Sequence, residues 1–240
     1  MNWKKDYIGD KMILLNKLPI NVTNNLKNEL LKKEKLILSL PPDNNIGKLF
    51  NNDNVTTMRS SYHNIFKWKT QNTKLLLKYI KNGFELYCKN NPNFNIPKEK
   101  CYYQCWVNIW RDKQYIKPHV HDLNHLKPYK LLSGHIFLNG KNPTATWYVN
   151  ENKDYKNKNK NKNILNMDEY LKNWKHLLNP IKNELGKIIL FPGNIIHFTK
   201  PYNQSDENDF RMTCAFDIIN IDIYDNIYYN KPLSLLKLYT

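Results

Sequence analysis

The chain has 240 residues, 41% hydrophobic and 13% aromatic, which is enough apolar material for a large packed core and too much for a disordered chain. Its formal net charge of +16 excludes an acidic protein and admits a polyanionic partner. No apolar run approaches the ~20 residues of a membrane span, and MNWKKDYIGDKMILLNKLP lacks the small-residue cleavage site of a signal peptide, so a soluble, intracellular protein is expected.

In chain order, NVTNNLKNELLKKEKLIL predicts a helix with Thr23 as N-cap and Leu26, Leu30 and Leu31 on one face. Residues 41–60 are dense in turn formers and predict a long loop. NTKLLLKYIKNGFELYCKNN predicts a second helix, with Leu75, Leu76, Tyr79, Ile80 and Tyr87 at helical spacing and an interruption at Gly83. Both helices are expected to buttress a sheet. From residue 101 the pattern changes to strands: CYYQCWVNIW, YKLLSGHIFLN, TATWYVN, GKIILFPGNIIHFTKP and DFRMTCAFDIINIDIY. Short strands in succession predict an antiparallel jelly-roll or barrel. Between them, ENKDYKNKNKNKN (151–163) predicts a mobile loop, and NMDEYLKNWKHLLN a short helix or lid bearing Met167, Leu171 and Trp174. The expected organisation is a helical, irregular support over residues 1–100 and a catalytic core over 101–240, integrated as a single domain.

Cys88, Cys101, Cys105 and Cys214 have no zinc-ligand spacing. Cys101 and Cys105 share one face of a strand and are expected as buried, reduced thiols. The loop at 151–163 holds five lysines against two acids. The rest of the positive excess, set among many Asn and Ile, fits either the bias of an AT-rich (for instance viral) genome or a polyanion-binding surface.

The chemistry concentrates in KPHVHDLNH and FPGNIIH. On a strand, alternation sends His119 and His121 to the same face, where two imidazoles can converge on one ion. Neutral imidazole suits Fe, Zn, Cu and Ni. His197, 76 residues after His121 and just beyond the apolar GKIILFPG, is the expected third ligand. His125 is expected in a turn and His135 on the next strand, while Asp122 would point away from His121. Lone histidines such as His63 and His176 are read as surface or hydrogen-bonded groups.

The order H-x-H, LSG-x-(I/V)-(F/Y)-L, G-x-(I/L)-(I/V)-L-F-P, His, R-x-(S/T) is carried here by KPHVH (117–121), LLSGHIFLN (131–139), GKIILFPGNIIH (186–197) and RMT (211–213), with WVNIW (106–110) ahead of them. This set resembles the 2-oxoglutarate/Fe(II) oxygenase superfamily, in particular phage and bacterial members in which H-x-H replaces the usual H-x-D. The resemblance implies a double-stranded β-helix, an all-β core with flanking helices. It implies Fe(II) held by His119, His121 and His197, with 2-oxoglutarate and O2 as cosubstrates. It also implies a hydroxylase that couples decarboxylation of 2-oxoglutarate to succinate with oxidation of a substrate C–H bond.

By the same resemblance Arg211, 14 positions after His197, pairs with the distal carboxylate of 2-oxoglutarate and Thr213 adds a hydroxyl. Only two arginines precede Arg211, so an arginine here is a pointed choice. Asn108 and Tyr103 are weaker expectations for the cosubstrate cavity. Trp106, Trp110 and Trp147 are candidates for a substrate pocket, against the competing reading of core packing.

Two departures matter. His121 stands where a carboxylate ligand is usual, which leaves the identity of the metal open. Asp217 stands six positions after Arg211, where nucleic-acid demethylases of the superfamily carry a second arginine, so that activity is disfavoured. The expected primary substrate is a protein side chain, an amino acid or a small metabolite. The alternatives are a cupin-type metal dioxygenase or isomerase without 2-oxoglutarate, and a non-catalytic basic nucleic-acid-binding protein. The cupin motif needs a glutamate shortly after H-x-H, which DLNHLKPYK lacks. A steep salt dependence without metal would mark the nucleic-acid binder.

Overall fold

Two strands precede the first helix, where the sequence reading expected only helix and irregular chain: β1 (Lys4–Ile8) and β2 (Lys11–Lys17). They form a hairpin closed by Gly9 at φ +63°, a left-handed backbone conformation that glycine adopts without a Cβ penalty. The computed structural model describes residues 2–43, 55–92, 94, 97–121, 132–141, 144–150, 175–220 and 235–239. The predicted mobile loop at 151–163, Met167, Leu171, Trp174, Asp122 and His125 lie outside the described residues.

After the hairpin come α1 (Ile20–Leu31), α2 (Glu34–Leu38) and α3 (Gln71–Asn90), then β3 (Cys101–Trp110), β4 (Leu132–Asn139), β5 (Ala145–Val149), β6 (Leu178–Lys182), β7 (Lys187–Pro192), β8 (His197–Thr199), β9 (Arg211–Asn220) and β10 (Leu236–Lys237). Among the described residues the larger sheet has seven strands in the order β1-β2-β7-β4-β9-β3-β10, and the smaller has three in the order β6-β5-β8. An antiparallel bridge between His119 and His197 lays the 116–121 segment against the free side of β8. From β3 onward the chain alternates between sheets: β3 large, the His119 segment small, β4 large, β5 and β6 small, β7 large, β8 small, β9 large. That alternation is the double-stranded β-helix. The two sheets do not close into a barrel.

Strand alternation gives the large sheet an apolar outer face and a mixed inner one. On the outer face Cys105, Val107, Leu132, Ile136, Cys214 and Phe216 form one core with the inward stripes of α1 and α3. Leu26, Leu30, Leu76 and Ile80 are at most 1% exposed, and each contributes about 1.5–3 kcal/mol on burial. Cys101, Cys105 and Cys214 are buried, reduced thiols, as the shared strand face of Cys101 and Cys105 suggested for those two.

Several local expectations are corrected. The α1 N-cap is Pro19, not Thr23; Thr23 lies inside the helix and donates its hydroxyl to the Pro19 carbonyl at 3.0 Å. Gly83 does not break α3, which runs through it; Trp3 packs against it, and a Cβ there would fall 2.5 Å from the indole. The C-terminal part of the predicted lid is a 3-10 turn, Lys175–Leu177, followed by β6.

The end of the predicted long loop is a 3-10 helix, Thr56–Tyr62. Its polar groups serve β3, a strand that among the described residues otherwise has only the two-residue β10 on that side. Thr56 donates to the Val107 carbonyl (2.7 Å) and accepts from the Ile109 amide (2.9 Å). His63 accepts from the Val107 amide at 3.2 Å. A composition of turn formers here conceals an element that satisfies a strand edge.

Candidate metal and cosubstrate site

The inner face of the large sheet follows from register. Along β9, Arg211, Thr213, Ala215 and Asp217 stand opposite Trp110, Asn108, Trp106 and Gln104 of β3, and directly opposed residues share a face. On the other side of β9, Phe137, His135 and Ser133 of β4 oppose Thr213, Ala215 and Asp217. The small sheet faces them with one row of three, because His119 bridges His197 and His197 pairs with Tyr148. Backbone hydrogen bonds in both directions, 3.1 and 3.0 Å, fix His119 against His197, and the His121 amide donates to the Gly193 carbonyl at 2.8 Å.

His119, His121 and His197 thereby converge. Their ligand nitrogens lie within 4.8 Å of one another, the one such group among the described residues. Every Nδ1 is already engaged: His119 with the Lys117 carbonyl at 2.8 Å, His197 with the Ile195 carbonyl at 3.0 Å and His121 with the Asp217 carboxylate at 2.7 Å. A proton on each Nδ1 leaves the Nε2 lone pair free, which is the tautomer a metal requires. Burial, reinforced by the neighbouring His121, holds His119 down to about 3, and burial likewise holds His197 well below the ordinary range. Both are therefore neutral ligands at physiological pH, and the donor set fits a borderline divalent ion such as Fe(II).

Beside this cluster lies an unanswered cation. Arg211 is 3% exposed, its guanidinium sits over the Trp110 ring at 4.4 Å, and its Nε and Nη1 find no hydrogen-bond partner among the described residues. Desolvation draws it down to about 10. The Tyr148 hydroxyl is equally buried and unpartnered, and its ring stacks on His197 at 5.9 Å between centroids. Register places both on the inner faces of the two sheets, Arg211 opposite Trp110 and Tyr148 opposite His197. An isolated buried charge with unmet donors costs several kcal/mol. A carboxylate arriving there would satisfy both groups, which is the fit 2-oxoglutarate demands.

The structure gathers most of the residues proposed from sequence and separates two. Asn108 donates to Thr213 Oγ1 at 3.1 Å and accepts from Thr57 at 2.5 Å, so both sit on the inner face beneath Arg211. Trp106 stacks on His121 with ring centroids 5.9 Å apart, and Trp110 lies under Arg211. Tyr103 is of opposite parity to Asn108; it faces the outer core, edge-on to Phe66 at 5.1 Å, away from the cavity. Trp147 is likewise one residue off. It stacks on Phe198 outside the small sheet and carries Lys200 over its ring at 4.1 Å. Tyr148, passed over in the sequence, is the inward residue of that strand, and only its register with His197 reveals it. His135 lies on β4 as expected, turns inward and meets Thr146 at 3.2 Å, outside the ligand group.

Residues 104–217 match a family model described as "Putative 2OG-Fe(II) oxygenase", and this span runs from the middle of β3 to Asp217, enclosing every site residue above except Tyr103. This segment is a 2-oxoglutarate/Fe(II) oxygenase core. Such an oxygenase uses Fe(II) and 2-oxoglutarate. No curated protein matches the chain by sequence. Solved structures of similar fold include a Pseudomonas putida prolyl-4-hydroxylase (8% identity, 91% of this chain and 92% of that one, TM-score 0.52). A Trichoplax adhaerens prolyl hydroxylase, in complex with a hypoxia inducible factor peptide fragment, is similar at 11% identity over 90% and 86% of the two chains, with TM-score 0.50. HygX from Streptomyces hygroscopicus, with nickel, 2-oxoglutarate and hygromycin B bound, is similar at 10% identity over 86% and 82%, with TM-score 0.50. These likenesses concern the fold, and at full domain length they agree with the double-stranded β-helix of the oxygenase core.

Proposed function

We propose that this oxygenase is a hydroxylase in which His119, His121 and His197 hold Fe(II) through Nε2, and Arg211 anchors the distal carboxylate of 2-oxoglutarate. The single observation that carries the reading is the pairing of three Nδ1-engaged histidines with a buried guanidinium whose Nε and Nη1 lack partners among the described residues. Bound there, iron and 2-oxoglutarate would supply the oxidising chemistry with O2 as the oxidant, one oxygen atom passing to succinate as 2-oxoglutarate loses CO2 and the other to the substrate C–H bond. The protein's part is orientation and dryness. Tyr148 donates a second hydrogen bond to the carboxylate. Thr213 and Asn108 hold the floor of the cavity through their mutual hydrogen bond, and Trp110 keeps the guanidinium flat. Trp106, beside His121, forms a wall for the substrate. The first hundred residues act as support, covering the outer face of the large sheet and the edge of β3.

The substrate is a protein side chain, an amino acid or a small metabolite, and the lysine excess gives the chain an affinity for polyanions. Among the described residues no helix is long and apolar enough to cross a membrane. Succinate release from 2-oxoglutarate, with Fe(II) and ascorbate and pools of protein, RNA or metabolites, tests the reading. His197→Ala should abolish turnover and metal binding, and unchanged succinate production would sink the assignment. Polyanion affinity is read from binding to heparin or RNA, which should weaken steeply between 50 and 200 mM salt (about tenfold or more if several lysines contact phosphate or sulfate).

A further inference from the structure

The usual facial triad brings its own negative charge, and three imidazoles bring none. His121 replaces the carboxylate ligand, yet a carboxylate stands directly behind it. Asp217 Oδ1 lies 2.7 Å from His121 Nδ1, with side-chain exposures of 15% and 12%. The other two histidines lean on backbone carbonyls instead, at Lys117 and Ile195. Asp217 is held from both sides by the sheet, where it pairs with Gln104 of β3 and Ser133 of β4. Ser133 donates to the same Oδ1 at 2.6 Å. Gln104 is itself tied to the Ser60 carbonyl of the 3-10 helix.

We propose that Asp217 is a positioning residue that supplies, one hydrogen bond behind His121, the anionic charge a carboxylate ligand normally gives the metal. The inference rests on the metal-centre reading above and deepens it. A carboxylate accepting from Nδ1 locks the tautomer whose Nε2 is free, orients the ring and makes the imidazole a stronger donor. It also places a negative charge close to a divalent ion within a low-dielectric setting, where the attraction is much less screened than in water. The relocation has a second consequence. The carboxylate is spared from coordination, so the site keeps one neutral imidazole where other members of the superfamily keep an anion, while the net charge of the metal and its surroundings stays the same. An asparagine at 217 would retain the shape and lose the charge. Its amide N–H could then face Nδ1 and favour the wrong tautomer, with the proton on Nε2.

The experiment is anaerobic calorimetric titration of the full chain with Fe(II), and with Ni(II) as a redox-inert probe, without 2-oxoglutarate. Wild type, Asp217→Asn and the double variant His121→Asp/Asp217→Asn are compared, each with its melting temperature before and after metal. Asp217→Asn should bind about 10–100-fold more weakly, as removal of such a supporting carboxylate does elsewhere. The double variant restores a carboxylate ligand and should bind within about tenfold of wild type, whether or not the single variant folds. A folded Asp217→Asn with affinity within twofold of wild type would overturn the inference, as would a folded double variant binding more than a hundredfold more weakly. Wild-type protein that binds neither ion would remove the metal centre itself, a different failure from tight wild-type binding left untouched by Asp217→Asn.

Discussion

Arg211 carries its charge into a space where Nε and Nη1 have no partner among the described residues, so its replacement tests the cosubstrate pocket directly. Arg211→Gln removes charge-assisted hydrogen bonds worth about 1.5–3 kcal/mol, and the KM for 2-oxoglutarate should rise roughly 10–150-fold in succinate-release assays. Tyr148→Phe removes one neutral donor; a rise of about fivefold, near 1 kcal/mol, is expected in the same assay. An unchanged KM in Arg211→Gln would place the carboxylate elsewhere. Arg211 was legible in the sequence because arginine is scarce in a chain whose positive charge is almost wholly lysine, and because it follows a histidine and precedes x-Thr. Tyr148 was not. In TATWYVN the larger Trp147 draws attention, and nothing local says which of two adjacent aromatics faces inward. Asp217 read only as a missing arginine until the fold set it against His121.

At the scale of elements, the 3-10 helix Thr56–Tyr62 illustrates how support reaches the site. Thr57 contacts both Asn108 and the Trp110 indole, so the segment that caps the β3 edge also fixes the cavity floor. Thr56→Val would leave the Val107 carbonyl and the Ile109 amide buried without a partner. A cost of about 2 kcal/mol follows, and the melting temperature should fall by roughly 4–8 °C in a chain of this size. His63 adds a pH dependence to the same seam. Burial keeps its imidazole below its ordinary value, although the Arg59 carbonyl bond pulls the other way. The unfolded chain takes up a proton near pH 6.5, and the folded chain does so only at lower pH. The unfolded state thus binds more protons in that interval, and stability falls as pH drops below about 6.5. The urea midpoint should decrease from pH 7 to pH 5, with a shallower slope in His63→Gln. An equal slope would show that His63 does not titrate this seam. The sequence offered little warning of either feature. The turn-rich composition of residues 41–60 describes the loop but not the edge strand it must satisfy, just as a short MILL patch hides a hairpin that becomes a strand only when β2 pairs with β7.

Across the whole molecule, the candidate histidines tie the 116–121 segment to β8, joining parts of the chain 76 residues apart. A metal bound at about a hundred times its dissociation constant adds roughly 2.7 kcal/mol of stability. Chelation of loaded protein should therefore lower the melting temperature by about 5–10 °C, and His197→Ala should show no such shift. The sequence alone determined the strand-rich second half, the three histidines and the arginine, because strand periodicity is local and H-x-H needs only alternation to converge. It determined the inward stripes of α1 and α3 for the same reason, since 3.6-residue spacing is written in adjacent turns. Tertiary structure decided which face of each strand looks into the cavity, excluding Tyr103 and Trp147 and admitting Tyr148. It also decided that Asp217 stands behind His121. Those choices depend on register between strands far apart in sequence, where a slip of one residue turns every side chain to the opposite face.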